Sequence, residues 1–234
     1  MTLGAVTTWR HLLVWLHVTS SVTWMSTAAA LAVLLGLSRT DPAAVPAAVT
    51  MAHHLDTALL AAAANASATT GFVLAWATPW GLVHHWWVLA KAAITLGQLY
   101  LGIAVLSPVL DALARDAAPA PLAQVLGAAA MAGAVAFQAW LSIAKPWPRT
   151  PVGRRTRRLP RAGTPLLAAG VLAPVADLGL NLLTGFPTPV LELGVIVTAG
   201  VARRRAITRS ARGPAAVDPA APADAAAPPA RRRT

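Results

Sequence analysis

Long apolar runs separated by short polar or proline-bearing turns set the pattern of this chain. The first run covers about residues 12–37 and closes on Ser38-Arg39-Thr40-Asp41-Pro42. The second, about 47–77, begins with the polar cluster His53, His54 and Asp56, and Pro79-Trp80-Gly81 separates it from the third, about 83–108. Asp111, Arg115, Asp116 and Pro119 then form a polar connection to a fourth run, about 121–144. Lys145-Pro146-Trp147-Pro148 closes that run, because two prolines in four residues cannot continue a helix. Each of the four exceeds the roughly 20 helical residues that cross a bilayer. Two weaker segments, about 164–184 and 187–202, are split by Phe186-Pro187-Thr188-Pro189, and the second is short for a full crossing. The pattern therefore predicts an all-α polytopic transmembrane bundle with six spans, the alternative being four spans plus a re-entrant pair. Its organisation is a four-helix bundle over 9–148, a basic loop over 149–163, two further transmembrane or re-entrant helices over 164–204, and a tail over 205–234. The Ala/Pro/Asp/Arg composition of the tail has no packable pattern and predicts disorder.

Composition strengthens this reading. The chain is 56% hydrophobic and 12% charged, where a soluble domain carries about 25% charged residues. Cysteine is absent, which removes disulfides and thiolate chemistry. The net charge of +11 does not point to nucleic acid, because the basic residues flank membrane segments. With an even number of spans, all but Arg39, Lys91 and Arg115 of the 19 Lys and Arg residues fall on one side. The positive-inside rule makes that side cytoplasmic, giving a multi-pass protein of a bacterial inner membrane with both termini inside. Eight of the nine tryptophans fall near the same side, as their interfacial preference requires, and Trp24 alone lies deeper. The first run is too long, and lacks the cleavage site, for a removable signal peptide. The partner this predicts is the lipid bilayer. The arginine-rich 145–161 loop is open to anionic lipid, although topology alone also accounts for it.

Candidate chemistry centres on Lys91, the only Lys or Arg inside a long apolar run. Counting helical rise from the cytoplasmic ends places His17, Thr69, Thr70, Lys91 and Gln138 at one depth, with Ser20, Ser21 and Trp24 on the helical face of His17. Such a layer suits a small polar or anionic ligand held by Lys91, with His17 binding it or passing a proton. Alternatively, Lys91 snorkels to the interface and His17 bonds a neighbouring helix. His53 and His54 are weak metal candidates, since adjacent residues on a helix point about 100° apart. His84 and His85 sit among interfacial tryptophans as headgroup anchors. Asp177, Asn181 and Glu192 form a second polar cluster, expected in the outer half of the last two spans.

Two stretches carry a resemblance. His17-Val18-Thr19-Ser20-Ser21-Val22-Thr23-Trp24, and Thr78-Pro79-Trp80-Gly81 followed by Trp87-Val88-Leu89-Ala90-Lys91, resemble a family of uncharacterised integral membrane proteins common in high-GC bacteria. Lys145-Pro146-Trp147-Pro148-Arg149-Thr150-Pro151 is similar to that family's motif after span four. The resemblance spans about residues 9–155. A more distant likeness, in the helix-one histidine and helix-three lysine, is to the four-helix membrane protoporphyrinogen oxidases, and in helix one to copper-resistance membrane proteins. That likeness implies functional roles for His17 and Lys91 and a haem. The functions left open are ligand binding or passage at the His17/Lys91 layer, a membrane accessory subunit, a haem- or quinone-linked oxidoreductase, and a small permease-like exporter.

Overall fold

The computed structural model describes residues 3–78, 80–155, 163–185 and 189–211, and every regular element among them is helical. The elements are α1 (Leu3–Thr40), α2 (Pro42–Ala77), α3 (Trp86–Asp116), α4 (Leu122–Ala144), the short α5 (Pro151–Arg155), α6 (Thr164–Thr184) and α7 (Val190–Ala211). Helices α1, α2, α3, α4 and α6 are long and apolar enough to cross a membrane. The α7 helix, which contains Arg203, Arg204 and Arg205, is not among them. Burial is inverted relative to a water-soluble protein. Leu183 and Ile143 are 87% and 84% exposed, while Asp56 and Glu192 are 7% and 2% exposed. Large apolar side chains face outward where lipid would solvate them, and polar groups turn inward to find partners.

Helix α1 is the centre of the bundle, packed against α4 on one side and against α2 and α6 on another. Small residues make this possible. Ala28, Ala52, Ala63, Ala64 and Ala128 lie in the main core with Trp24, Leu31, Leu35, Leu110 and Met131, letting backbones approach closely. A second, smaller core joins Leu13, Val73 and Leu167 of α1, α2 and α6. At one end of the bundle, hereafter the far end, α1 is fastened to the turn that precedes α4. Arg39 Nη1 donates to Ala120 O at 2.8 Å, and the Ala120 N–H donates to Ser38 Oγ at 3.1 Å.

The opposite end, here called the basic end, gathers the start of α1, the 80–85 turn and the 145–155 segment. The two interhelical segments there are stitched together. His85 and Arg149 form an antiparallel bridge, Thr150 N donates to His84 O at 3.0 Å, and Thr150 Oγ1 donates to Val83 O at 2.6 Å. Thr150 also caps α5 by accepting from Gly153 N at 3.1 Å. Lys145, held at φ 45°, places its ammonium 4.9 Å from the Trp80 ring. The Trp80 and Lys145–Pro151 motifs of the sequence therefore meet as one structural clasp.

Two helix ends differ from the sequence reading. Helix α3 does not stop at Pro108 but runs to Asp116, absorbing the proline because the preceding turn, Gly102–Leu106, is a π turn. The residues assigned to a polar connection, Asp111, Arg115 and Asp116, are thus helical. Helix α7 continues through residues 205–211, which the sequence pattern assigned to the tail. The rest of the tail, and Arg157, Arg158 and Arg161 of the basic loop, lie outside the described residues.

The α6–α7 pair covers only part of the bundle's length. Gly170 sits against Leu13 and Val73, so the three residues share a level. Thr184 lies 14 residues beyond Gly170, about 21 Å, whereas Thr40 lies 27 residues beyond Leu13, about 40 Å. Helix α6 therefore ends about two-thirds of the way along α1. Asp177 marks the return, because its carboxylate accepts from Leu191 N at 3.3 Å and Glu192 N at 2.9 Å and so caps α7 from the neighbouring helix.

Candidate functional site

The polar residues toward the basic end fall into two seams on either side of α1. The first lies between α1 and α2. His17 Nδ1 is 3.0 Å from both Ser67 O and Thr70 Oγ1. A carbonyl oxygen can only accept, so the bond to Ser67 O places the proton on Nδ1 and leaves Nε2 as a lone pair. The Thr70 hydroxyl donates in turn to Ala66 O at 2.6 Å, and Ser21 Oγ and Ser67 Oγ bond at 2.7 Å. Gly71 admits the imidazole, since a Cβ there would lie 3.1 Å from His17 Cε1.

The second seam lies between α3 and α4. Lys91 Nζ donates to Ser142 Oγ at 2.6 Å, and Ser142 Oγ donates to Gln138 O at 3.0 Å. Gln138 accepts from Thr95 Oγ1 at 2.9 Å and donates to Gln98 Oε1 at 2.6 Å, and Gln98 Nε2 donates to Met131 O at 2.9 Å. Each partner along this seam is neutral. Among the described residues no carboxylate lies within ion-pair distance of Lys91. The Lys91 side chain leans toward the start of its helix, as helical geometry directs, and reaches the last turn of α4.

The single layer expected from helical rise is therefore divided. His17 and Thr70 are joined, and Lys91 reaches Gln138 through Ser142, but no hydrogen bond links the two groups among the described residues. Lys91 remains within electrostatic reach of His17. Thr69 turns to the other side of α2, toward Glu192. Glu192 and its neighbours Asp177 and Asn181, all buried, are thus contiguous with Thr69 rather than a remote outer cluster. The cause is the α6–α7 hairpin, which turns back before the far end and returns Glu192 to the level of Thr69. Among the described residues, Glu192 Oε2 is buried without a hydrogen-bond partner. Trp24 is not part of either seam. It is 2% exposed within the main core, and among the described residues its Nε1 lacks a partner.

At the far end His53 Nδ1 lies 3.1 Å from Asp111 Oδ1, although out of line for a hydrogen bond. His54 points outward, its ring tilted 48° to that of His53. No group of three metal-ligating side chains converges among the described residues. Ser67, Gln98, Ser107 and Ser142 carry much of the polar network and were not singled out in the sequence. A lone serine or glutamine inside an apolar run gives no periodic signal. At the basic end His85 Nδ1 lies 2.7 Å from Trp80 O, with ring contacts to Trp80 and Trp87. His84, by contrast, is buried under α5.

The lone pair on Nε2 has the donor chemistry of an axial haem ligand, and it is the Cε1 edge of the ring that packs closest to Gly71. No protein-family model, curated protein or solved structure matches this chain.

Proposed function

We propose that this chain is an integral membrane protein of the bacterial cytoplasmic membrane, with both termini inside, that binds a small anion or anionic group at Lys91 and passes it along the α3–α4 seam. The orientation rests on the gathering of positive charge at the end that holds the first turn of α1 and the 145–155 segment. One observation carries the ligand reading: the Lys91 ammonium has a serine hydroxyl as its hydrogen-bond partner and, among the described residues, no carboxylate beside it. In a low-dielectric surrounding, a cation without a counter-charge is costly, and an anion that supplies the charge is drawn to it. His17, a neutral imidazole with a lone pair on Nε2, is the natural acceptor for a proton released when an acidic ligand binds.

The source of the anion is separable by experiment. In purified protein, native mass spectrometry with phosphatidylglycerol and, separately, isothermal titration with inorganic phosphate compare the wild type with Lys91→Met and Lys91→Arg. Binding to one probe should fall about tenfold or more in Lys91→Met, the loss of one charge-assisted contact, and persist in Lys91→Arg. Equal binding by all three proteins to both probes removes the proposal.

A further inference from the structure

In the far half of the bundle, two long helices break their regular ladder at the same place. Helix α2 has a π turn over Asp56–Leu60, and α3 has one over Gly102–Leu106. Such turns recur at functional sites because the extra residue re-aims side chains and frees backbone groups. Both turns open on one cavity, lined by Asp56, Leu60, Gly102 and Leu106 together with Gln124 and Met131 of α4. Its interior volume is about 20 Å³, room for about one water molecule. Met131, whose carbonyl ends the polar seam from Lys91, thus meets this cavity from the other side.

Among the described residues, Asp56 is the only ionisable group on the cavity wall. Ser107 Oγ donates to its Oδ2 at 2.7 Å, and no basic side chain lies within ion-pair distance among the described residues. One helical turn toward the far end stands a second rung, His53 against Asp111. His53 precedes Asp56 by three residues and Asp111 follows Ser107 by four, so both rungs lie on the same α2–α3 seam. The outer rung is open to the surroundings, with His53 and Asp111 side chains 32% and 46% exposed. An exposed ionisable pair therefore stands directly above a buried acid on a water-sized cavity.

We infer that Asp56 is an exchangeable proton-binding site, loaded from the far end through the His53–Asp111 pair. This site is separate from Lys91 and independent of the anion reading. A buried carboxylate facing leucines, with one hydroxyl donor and no counter-charge, is neutralised by a proton. A metal ion is disfavoured by the donor set. Hard cations take about six or more oxygens, and the side chains at the cavity supply only those of Asp56, Ser107 and Gln124. The titratable groups facing Asp56 are His53 on its own helix and Asp111 on α3, while α1 and α4 present none to the cavity. Loading transfers one proton from water to His53 or Asp111 and on to an Asp56 carboxylate oxygen. Release reverses the path, and no bonds change other than N–H and O–H.

The test uses the full chain in proteoliposomes. Dicyclohexylcarbodiimide, which is lipid-soluble and reacts with protonated carboxyl groups, is followed by peptide mapping across a pH series, with and without sodium. The adduct should map to Asp56, be absent in Asp56→Asn, and fall about tenfold per pH unit above its midpoint, without protection by sodium. No adduct at Asp56, or an adduct indifferent to pH, overturns the site. Protection by sodium at fixed pH overturns the proton assignment in favour of a metal ion. If Asp56→Asn fails to fold, the wild-type pH and sodium series decides alone.

Discussion

His84 illustrates how single residues at the basic end respond to their surroundings. It lies outside the membrane spans, and burial pushes its pKa below the ordinary 6.5, with Arg203 and His85 adding to the effect. The unfolded chain therefore binds a proton here more readily than the folded one. Stability contributed by neutral His84 is present above pH 6.5 and is lost as pH falls below that value toward the folded pKa. Thermal unfolding in detergent should shift to lower temperature across this window, and His84→Gln should flatten that part of the profile. A profile identical to wild type would remove His84 as the cause. Lys91 and Asp56 stand at the same scale with opposite problems. One is a cation with a neutral hydrogen-bond partner, the other a carboxylate with a neutral hydrogen-bond partner.

Among the elements, the clasp between the 80–85 turn and the 145–155 segment draws its side-chain hydrogen bonds from one residue. Thr150 fastens α5 to the turn before α3 and caps α5 as well. Thr150→Ala removes both hydrogen bonds and should cost about 1–2 kcal/mol, read as a lower unfolding midpoint in denaturant. Thr150→Ser should retain most of it. No change in Thr150→Ala would show that the backbone bridge of His85 and Arg149 suffices. The helices themselves were legible in the sequence, because a run of about 20 apolar residues has few alternatives to a spanning helix. Their ends were less so. Pro108 signals a stop, yet a π turn five residues long accommodates it, and no local pattern announces such a turn. The polar layer was legible in depth but not in azimuth. Helical rise places His17, Thr69, Lys91 and Gln138 at similar heights, whereas the packing of α1 between α2 and α4 decides which of them meet. Glu192 was misplaced because its depth depends on where the α6–α7 hairpin turns, a tertiary fact set by Asp177 and Gly170.

At the scale of the whole molecule, four long helices accompany a pair that reaches only partway along them. The absence of cysteine lets this be mapped without first removing native thiols. Thr184→Cys should resist membrane-impermeant maleimides from both faces of intact vesicles, while Ala118→Cys in the α3–α4 connection should be labelled from one face. Rapid labelling of Thr184→Cys from the same face as Ala118→Cys would establish a complete crossing instead. The central position of α1 carries one further consequence, for biogenesis. His17 and Ser21 find their cross-helix partners on α2, at Ser67 and Thr70. When α1 first leaves the ribosome, those partners have not been made. Release of α1 alone would strand its polar face in hydrocarbon, so the insertion machinery is expected to hold α1 until α2 arrives and to discharge the two as a hairpin.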